Sequence, residues 1–168
     1  ECSICWKSIA ARLQSDLRNH ASILCVECYP GVFTSEIRDG LTEHLQPAQI
    51  VRTEDLLRTP YEIETMLAGY LPDDPVFGVM NSIEIADFFD PEKLAEAKAI
   101  VRNHQQGLLL LLGVGAALLC ERSSLLVYAD LARWEIQMRQ RRHEISSIGI
   151  DNHRENPAAQ YKRAFFVD

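Results

Sequence analysis

The sequence has little positive charge and no long hydrophobic run. Lysine and arginine number 17 against 24 aspartate and glutamate residues, which leaves a formal net charge of -7. A general nucleic-acid binder usually carries a basic face, so this balance argues against a nucleic-acid partner. The most apolar segment, 108–119, is shorter than the ~20 residues that span a bilayer, and no basic region followed by an apolar stretch opens the chain. We therefore expect a cytoplasmic protein without a membrane partner.

The chain of 168 residues is long enough for one domain with a substantial core. Its hydrophobic fraction of 47% and charged fraction of 24% are ordinary for a globular protein. It begins without methionine at Glu1 and stops at Asp168 inside an apolar run. We expect a single domain over 1–168 that is an excised or N-terminal part of a longer chain.

Segments typical of strands alternate with segments typical of helices along the chain. Short apolar runs bounded by turn residues predict strands, and apolar residues at helical spacing after a capping residue predict helices. The predicted strands are 22–27, 48–52, 76–80, 108–112, 124–129 and 161–167; the predicted helices are 6–19, one that starts at 34 or 35 and ends before 47, 59–67, 92–103 and 131–143. This alternation predicts an α/β fold with a doubly wound, mostly parallel sheet and helices on both faces.

The stretch 23–45 predicts a buried strand, a Pro-Gly turn and an amphipathic helix, which is the arrangement of a phosphate-binding loop. In the pattern G-x-x-x-x-G-K-[ST], backbone N–H groups and a lysine hold the phosphates, and the hydroxyl binds magnesium. When the pattern is laid on 27–34, Glu27, Val32 and Phe33 replace the two glycines and the lysine. Only the hydroxyl residue, Thr34, is kept. The sequence therefore argues against ordinary nucleotide binding.

A helix N-terminus at the carboxyl end of a central strand still suits an anion, because open α/β sheets bind ligands at this edge. We therefore predict that Gly31, Thr34 and Ser35 contact a phosphate group, with Thr34 and Ser35 donating backbone N–H groups. The alternative is a strand-to-helix turn that only packs. The five histidines show no spacing that suggests a Ser-His-Asp or Cys-His arrangement, so no catalytic residue is predicted.

The predicted helix 131–143 carries the basic cluster of the sequence, which consists of Arg133, Arg139, Arg141, Arg142 and His143. Arginine suits phosphate oxygens because its planar guanidinium donates two parallel hydrogen bonds. The helix is therefore a candidate lid, with Arg133, Arg139 and Arg142 as phosphate ligands. The alternative is a solvated helix face.

Two C-x-x-C pairs, Cys2 with Cys5 and Cys25 with Cys28, have the spacing of a four-cysteine zinc site. Against this, Cys25 lies in a continuous apolar run typical of a buried strand, whereas a zinc ligand usually occupies an exposed turn. Buried cysteine often acts as a small hydrophobe. We expect structural thiols and no cofactor, and a zinc-binding module is the alternative.

The order of segments resembles a nucleoside kinase with a P-loop fold, such as the uridine kinases. The supporting runs are the strand, loop and helix at 23–45, DDPVFG at 73–78, the apolar strand with small residues at 108–119, and VYADLARWEIQMRQRR at 127–142. The resemblance implies a phosphate loop and an arginine-bearing lid helix. It also carries an enzyme alternative, a small-molecule kinase that uses Mg-ATP with a lysine supplied from elsewhere, such as Lys162.

Three runs resemble more closely the N-terminal region of a bacterial group of class I mannose-6-phosphate isomerases. They are ECYPGV at 27–32, LVYADLARWEIQ at 126–137 and YKRAFFVD at 161–168. In that group a zinc-binding cupin domain carries out the aldose–ketose isomerisation, and its histidine and glutamate ligands are not recognisable in this sequence. The resemblance implies a degenerate, non-catalytic, kinase-like accessory domain. Such a domain would bind a phosphosugar or nucleotide beside a C-terminal cupin isomerase domain.

Overall fold

The computed structural model describes residues 4–20, 23–120 and 124–167. The helices of this part are α1 (Trp6–His20), α2 (Thr34–Leu45), α3 (Pro60–Leu67), α4 (Pro91–Asn103), α5 (Arg133–Arg141) and α6 (Pro157–Phe166). The strands are β1 (Ile23–Cys28), β2 (Gln49–Arg52), β3 (Leu109–Gly113) and β4 (Leu125–Ala129). Short 3-10 turns lie at Thr53–Leu56, Ile85–Phe88 and Ala116–Leu119. Within the described ranges, none of these helices is long and apolar enough to cross a membrane.

The strands form one parallel sheet in the order β2-β3-β1-β4. β1 lies in the interior, because Cys25 pairs with Leu111 of β3 on one side and with Leu126 of β4 on the other. Every residue of β3 is buried, as its uninterrupted apolar sequence requires of a strand covered on both faces. The predicted α/β fold with a parallel sheet is confirmed.

Helices pack on both faces of the sheet, because alternate residues of each strand point to opposite sides. On one face the strands pack against Leu13 of α1 and Leu41 of α2. On the other face they pack against Ala97 and Val101 of α4 and against the 3-10 turn at 116–119. The connection after β1 therefore leaves on one face of the sheet, and the connection after β3 leaves on the other.

A third buried cluster joins α3 to distant parts of the chain. Its buried members are Ile63, Leu67, Phe88, Phe89 and Ile148. Ile148 belongs to the irregular segment between α5 and α6, so this cluster holds the segment 144–149 against α3.

Capping side chains define where several helices begin. Thr59 and Glu62 form a reciprocal capping box at the start of α3. Asp90 caps α4 and Asn156 caps α6, each by accepting hydrogen bonds from N–H groups of the first turn. Proline follows each of these three caps, where its fixed φ and its missing N–H cost nothing. Residues next to one another in the sequence therefore determine where these three helices begin.

The predicted terminal strand at 161–167 is wrong, because 157–166 form α6. Asn156 and Pro157 start a helix in which Gln160 and Arg163 are the buried residues. Their spacing of three residues follows the helical period rather than the alternation of a strand. The aromatic side chain of Phe165 is more than half exposed.

The predicted strand at 76–80 is also wrong, because these residues are irregular in the structure. Val76, Phe77 and Met80 are exposed, and the described strands pair only with one another in the sheet. The N–H of Val79 instead donates to the carbonyl of Tyr70 at 2.8 Å, which holds the segment as a loop. The apolar residues at 76–80 are therefore not enough to form a strand, because none of the described strands pairs with them.

Candidate functional site

A cleft of about 410 Å³ lies at the carboxyl edge of the sheet, beside the ends of β1, β2 and β3. The connections after β1 and β3 leave on opposite faces, so a crevice opens between these two neighbouring strands. Open α/β sheets bind ligands at such a point. The walls come from 30–35 after β1, 52–54 at the end of β2 and 144–149 after α5. Segments far apart in sequence therefore meet at the edge where a ligand is expected.

The loop after β1 is a tight turn held by hydrogen bonds. The N–H of Tyr29 donates to the carbonyl of Ala129 at 2.9 Å, and the N–H of Val32 donates to the carbonyl of Tyr29 at 3.1 Å. Gly31 has a φ of 90°, a left-handed conformation that glycine adopts without steric cost. The guanidinium of Arg139 donates to the Gly31 carbonyl at 2.8 Å, which fastens the loop to α5.

The N-terminus of α2 faces the cleft. Thr34 is the first helical residue, and Phe33 occupies the N-cap position without a side-chain cap. The first N–H groups of an α-helix have no partner within the helix, and the aligned peptide dipoles make this end attractive to anions. Gly31, Thr34 and Ser35 all line the cleft. The structure thus brings Gly31 of the loop and the first two residues of α2, all predicted to contact phosphate, together in one wall.

Phe33 stands at the position of the phosphate-loop lysine, and its ring is covered by an arginine. The guanidinium carbon of Arg139 lies 3.8 Å from the ring centroid, a cation–π contact. Arg139 also pairs with Glu135 at 3.1 Å, and its side chain is only 15% exposed. The charge of Arg139 is therefore used in contacts inside the protein, which stabilise the loop after β1 and α5.

Two further arginines, Arg38 and Arg52, line the cleft. Arg38 pairs with Asp39 at 2.8 Å, and the hydrogen bond to this carboxylate raises the pKa of Arg38. Arg52 pairs with Asp55 at 2.8 Å. The side chains of Arg38 and Arg52 stay 36% and 41% exposed. Sequence reasoning missed both, although Arg38 follows Thr34 by one helical turn and Arg52 lies where a predicted strand ends.

The opposite wall carries hydrogen-bond acceptors. Glu144 and the serines at 146–147 line it, and Glu54 lies on the β2 side. Arg142 donates to Glu144 at 2.8 Å and to Glu135 at 2.9 Å, and these hydrogen bonds lower the pKa of both carboxyl groups. Arg142 therefore positions an ionised Glu144 at the cleft. The cleft offers acceptors as well as donors.

The three arginines predicted as phosphate ligands do not converge. Arg139 supports the loop after β1, and Arg142 is engaged by two glutamates. Arg133 lies over the rings of Tyr161 and Phe165, at 5.7 and 5.4 Å from their centroids. None of the three is among the residues that line the cleft. Their contact with a phosphate therefore stays a prediction.

The side chain of Glu27, near the end of β1, binds backbone N–H groups in the turn after β3. Its carboxylate accepts hydrogen bonds from the N–H groups of Gly115 and Ala117, at 2.7 and 2.6 Å. Hydrogen bonds to an ionised acceptor are stronger than neutral ones. The residue at the first glycine position of the phosphate-loop pattern is therefore a clamp between β1 and the turn after β3.

The cysteines of the second C-x-x-C pair face opposite sides of the sheet. Cys25 belongs to the cluster under α4, and Cys28 belongs to the cluster under α1 and α2. Burial raises the pKa of both thiols, that of Cys28 to about 11. Cys5 is exposed, and Cys2 lies outside the described residues. The structure does not bring the second pair together around one ion, and the described ranges hold no group of three or more His, Cys, Asp or Glu side chains suited to a metal.

Lys162, the alternative source of the missing lysine, is engaged elsewhere. Its ammonium donates to the carbonyls of Pro72 and Asp74, at 2.5 and 2.7 Å, and so ties α6 to the loop before 76–80. Asp74 accepts hydrogen bonds from the N–H groups of Val76 and Phe77. Both side chains therefore stabilise a loop outside the cleft.

Comparison with known proteins places the chain in one family. Residues 5–168 match the family model described as Domain of unknown function (DUF8485), so the chain belongs to this family. No curated protein and no solved structure matches the chain. The family description specifies no ligand, so the functional argument rests on the cleft.

Proposed function

We propose that this member of the DUF8485 family binds a phosphorylated sugar in the cleft and transfers no phosphoryl group. One observation carries the proposal: the N-terminus of α2 meets two partly exposed arginines, Arg38 and Arg52, in a cleft at the carboxyl edge of a parallel sheet. Helix N-terminal N–H groups and guanidinium groups are both donors that suit phosphate oxygens.

The acceptors of the cleft favour a sugar as the rest of the ligand. Glu144 lies across from the donors, together with the serines at 146–147, and Glu54 lies on the β2 side, where it pairs with Arg52 at 3.1 Å. Ionised carboxylates accept hydrogen bonds only, and sugar hydroxyls supply the matching donors. The volume of about 410 Å³ is within the range of small-molecule sites. A hexose phosphate therefore matches both walls.

The loop after β1 argues against phosphoryl transfer. Phe33 brings a phenyl ring to the position where a kinase needs a cation for the β- and γ-phosphates. The neighbouring Arg139 is stacked on that ring and hydrogen-bonded to the loop carbonyl. Lys162 is held by two carbonyl oxygens of another loop. An active kinase would require at least one of these cations to be released.

We further infer that the domain is a degenerate relative of P-loop nucleoside kinases and an accessory to a C-terminal cupin isomerase of the mannose-6-phosphate isomerase type. The parallel sheet with β1 in its interior, followed by a tight loop and a helix, is compatible with that origin. The runs at 27–32, 126–137 and 161–168 support the isomerase association. In this role the domain would bind mannose 6-phosphate or fructose 6-phosphate as a sensing module.

A thermal-shift titration tests ligand binding, because a ligand that binds only the native state raises the unfolding midpoint with concentration. Mannose 6-phosphate or fructose 6-phosphate is expected to raise the midpoint. Mannose and inorganic phosphate, at matched concentrations, separate the contributions of the sugar and the phosphate. Mg-ATP and UTP test the kinase alternative.

Matched arginine variants locate the binding site. Arg38→Ala is expected to abolish the shift, whereas Arg12→Ala should preserve it. Arg12 is a suitable control because, like Arg38, it pairs with a nearby aspartate at the surface. Unlike Arg38, it lies on α1 and outside the cleft. A nucleotide shift that is lost in Thr34→Ala, with magnesium-dependent ATP turnover, would support the kinase instead. No shift with any of these ligands would refute the binding proposal.

A further inference from the structure

β4 is an edge strand, because it pairs only with β1 among the described strands. Its sequence, LLVYA, contains neither a charged residue nor a proline. Proteins usually protect an exposed edge with charged residues, proline or a bulge, since the outward N–H and C=O groups of the edge attract other strands. The opposite edge strand, β2, is shorter and ends on Arg52. The five residues of β4 include no comparable protection.

The side chains of β4 alternate between the core and the solvent. Leu125, Val127 and Ala129 pack against the cluster under α1 and α2. Leu126 and Tyr128 are 55% and 57% exposed on the other face. Two large apolar side chains at successive solvent-facing positions of an edge strand form a surface suited to a further strand.

The hydrogen bonds of β4 show which residues point outward. The carbonyl of Ala129 accepts from the N–H of Tyr29 at 2.9 Å, on the side of β1. The backbone groups of successive strand residues point to alternate edges, so those of Val127 also face β1. The N–H and C=O groups of Leu126 and Tyr128 therefore point to the open edge. The residues with exposed side chains are also those with outward backbone groups.

We propose that a second copy of this chain pairs with β4 at this edge, antiparallel and about a two-fold axis at Val127. In this register Leu126 lies opposite Tyr128 of the second copy, and Tyr128 lies opposite its Leu126. Each pair exchanges both N–H···O=C hydrogen bonds and packs an aliphatic side chain against an aromatic one. Two four-stranded sheets join into one continuous sheet.

Self-complementarity makes a second copy of the chain a suitable occupant of this edge. In a two-fold interface the same surface patch lies on both sides, so a charged residue near the axis would face a residue of the same charge. The residues around the axis, 126–128, are uncharged, and their apolar pattern is the same in both directions. Asp130, the nearest acid along the strand, comes opposite Ser124 rather than opposite Asp130 of the second copy. Over residues 124–130, the part of this edge that the structure describes, the contact therefore contains no repulsive pair.

Sedimentation of the purified chain tests the proposal. Reductant is included because the exposed Cys5 could otherwise cross-link two copies. The weight-average mass is expected to rise from 19.1 kDa toward twice that value as the concentration goes from micromolar to millimolar. The mass of a single chain throughout this range would overturn the proposal.

Charge variants test the register. Leu126→Lys combined with Tyr128→Lys should keep the chain monomeric, because like charges then lie opposite each other. Leu126→Lys combined with Tyr128→Glu should restore the dimer in a salt-sensitive way, because the proposed register pairs opposite charges. Tyr61→Lys is the matched control, since Tyr61 is 80% exposed on α3, and it should dimerise like the unmodified chain.

Leu126→Pro tests the contribution of the backbone. The N–H of Leu126 points to the open edge, so proline removes no hydrogen bond to β1, and edge strands tolerate proline at such positions. We expect a folded monomer, with the circular dichroism spectrum of the unmodified chain. A dimer that persists both in Leu126→Pro and in the Lys–Lys variant would place the interface elsewhere and overturn the proposal.

Discussion

Gly113 ends β3 in the wall of the cleft, and Gly113→Ala is expected to destabilise the protein by roughly 4 kcal/mol. Its φ of 129° lies in a region that residues with a Cβ rarely adopt, and strain of this kind costs about 1–3 kcal/mol. The added Cβ would also overlap the hydroxyl oxygen of Thr53, which is 2% exposed. Overpacking a buried site costs a further ~1–3 kcal/mol.

Urea denaturation followed by tryptophan fluorescence measures this loss, and calorimetry measures the midpoint. Because ~1 kcal/mol shifts the midpoint of a domain of this size by about 2–4 °C, the midpoint should fall by roughly 8–16 °C. Thr53→Ala separates the two costs, since it removes the overlapping oxygen and leaves the Cβ of residue 53 at 3.4 Å from the added Cβ. The double-mutant cycle should therefore give a favourable coupling of about 1–3 kcal/mol.

Gly69→Ala is the control for this experiment, because nothing lies within 4 Å of a Cβ added there. It should change the free energy of unfolding by less than about 0.5 kcal/mol. Two results would refute the reasoning about Gly113. One is a loss below about 1 kcal/mol, and the other is strict additivity of Gly113→Ala and Thr53→Ala.

Three further substitutions probe the loop after β1 and the buried cluster under α1 and α2. Arg139→Ala should lower the free energy of unfolding by about 2 kcal/mol in denaturant titrations, because it removes the cation–π contact with Phe33 and a hydrogen bond to the loop after β1. Gly40→Ala should cost about 1–3 kcal/mol and alter tryptophan fluorescence, because the added Cβ would overlap the indole of Trp6. Burial raises the pKa of Cys28 from 9.0 to about 11, so the native state holds this proton more tightly and stability falls as the pH rises through that window. Cys28→Ala should make the fall shallower in denaturation curves measured across this pH range.

Each of these three predictions has a control variant or a result that would contradict it. Arg139→Lys keeps the charge and loses the planar group, so full recovery of stability in this variant would contradict the stacking argument. Gly69→Ala also serves as the control for Gly40→Ala, and a neutral Gly40→Ala would show that α1 and α2 are not tightly packed. Parallel pH profiles for Cys28→Ala and the unmodified chain would contradict the role of the buried thiol.

Elements with local signals in the sequence could be predicted. The apolar residues 23–26 of β1 and the uninterrupted apolar run of β3 require cover on both faces, which indicates a parallel sheet. The cap-and-proline pairs before α3 and α4 mark where those helices begin. The aromatic residues at 161–167 are compatible with a strand or a helix. The cap Asn156 and the burial of Gln160 and Arg163, three residues apart, favour the helix α6.

Only part of the cleft could be predicted in the same way. Gly31 lies in the turn after β1, and Thr34 and Ser35 begin the helix that follows it, so their nearness is a local property. Arg38 and Arg52 line the same cleft because β2 lies beside β3, and β3 beside β1, an order that no single segment encodes. The far wall at 144–149 is held in place by the third core, which forms only when distant apolar residues meet.

The sequence by itself determined the α/β architecture and the presence of Phe33 where the phosphate-loop pattern has a lysine, because both depend on the identity and spacing of neighbouring residues. The tertiary structure alone decided how the charges are used. Arg139 stacks on Phe33, and Glu27 clamps the turn after β3, whereas Arg38 stays exposed at the cleft. The physical reason is that a charged side chain finds its partner through contacts between segments distant in sequence, and the order of the strands and the packing of the helices create those contacts.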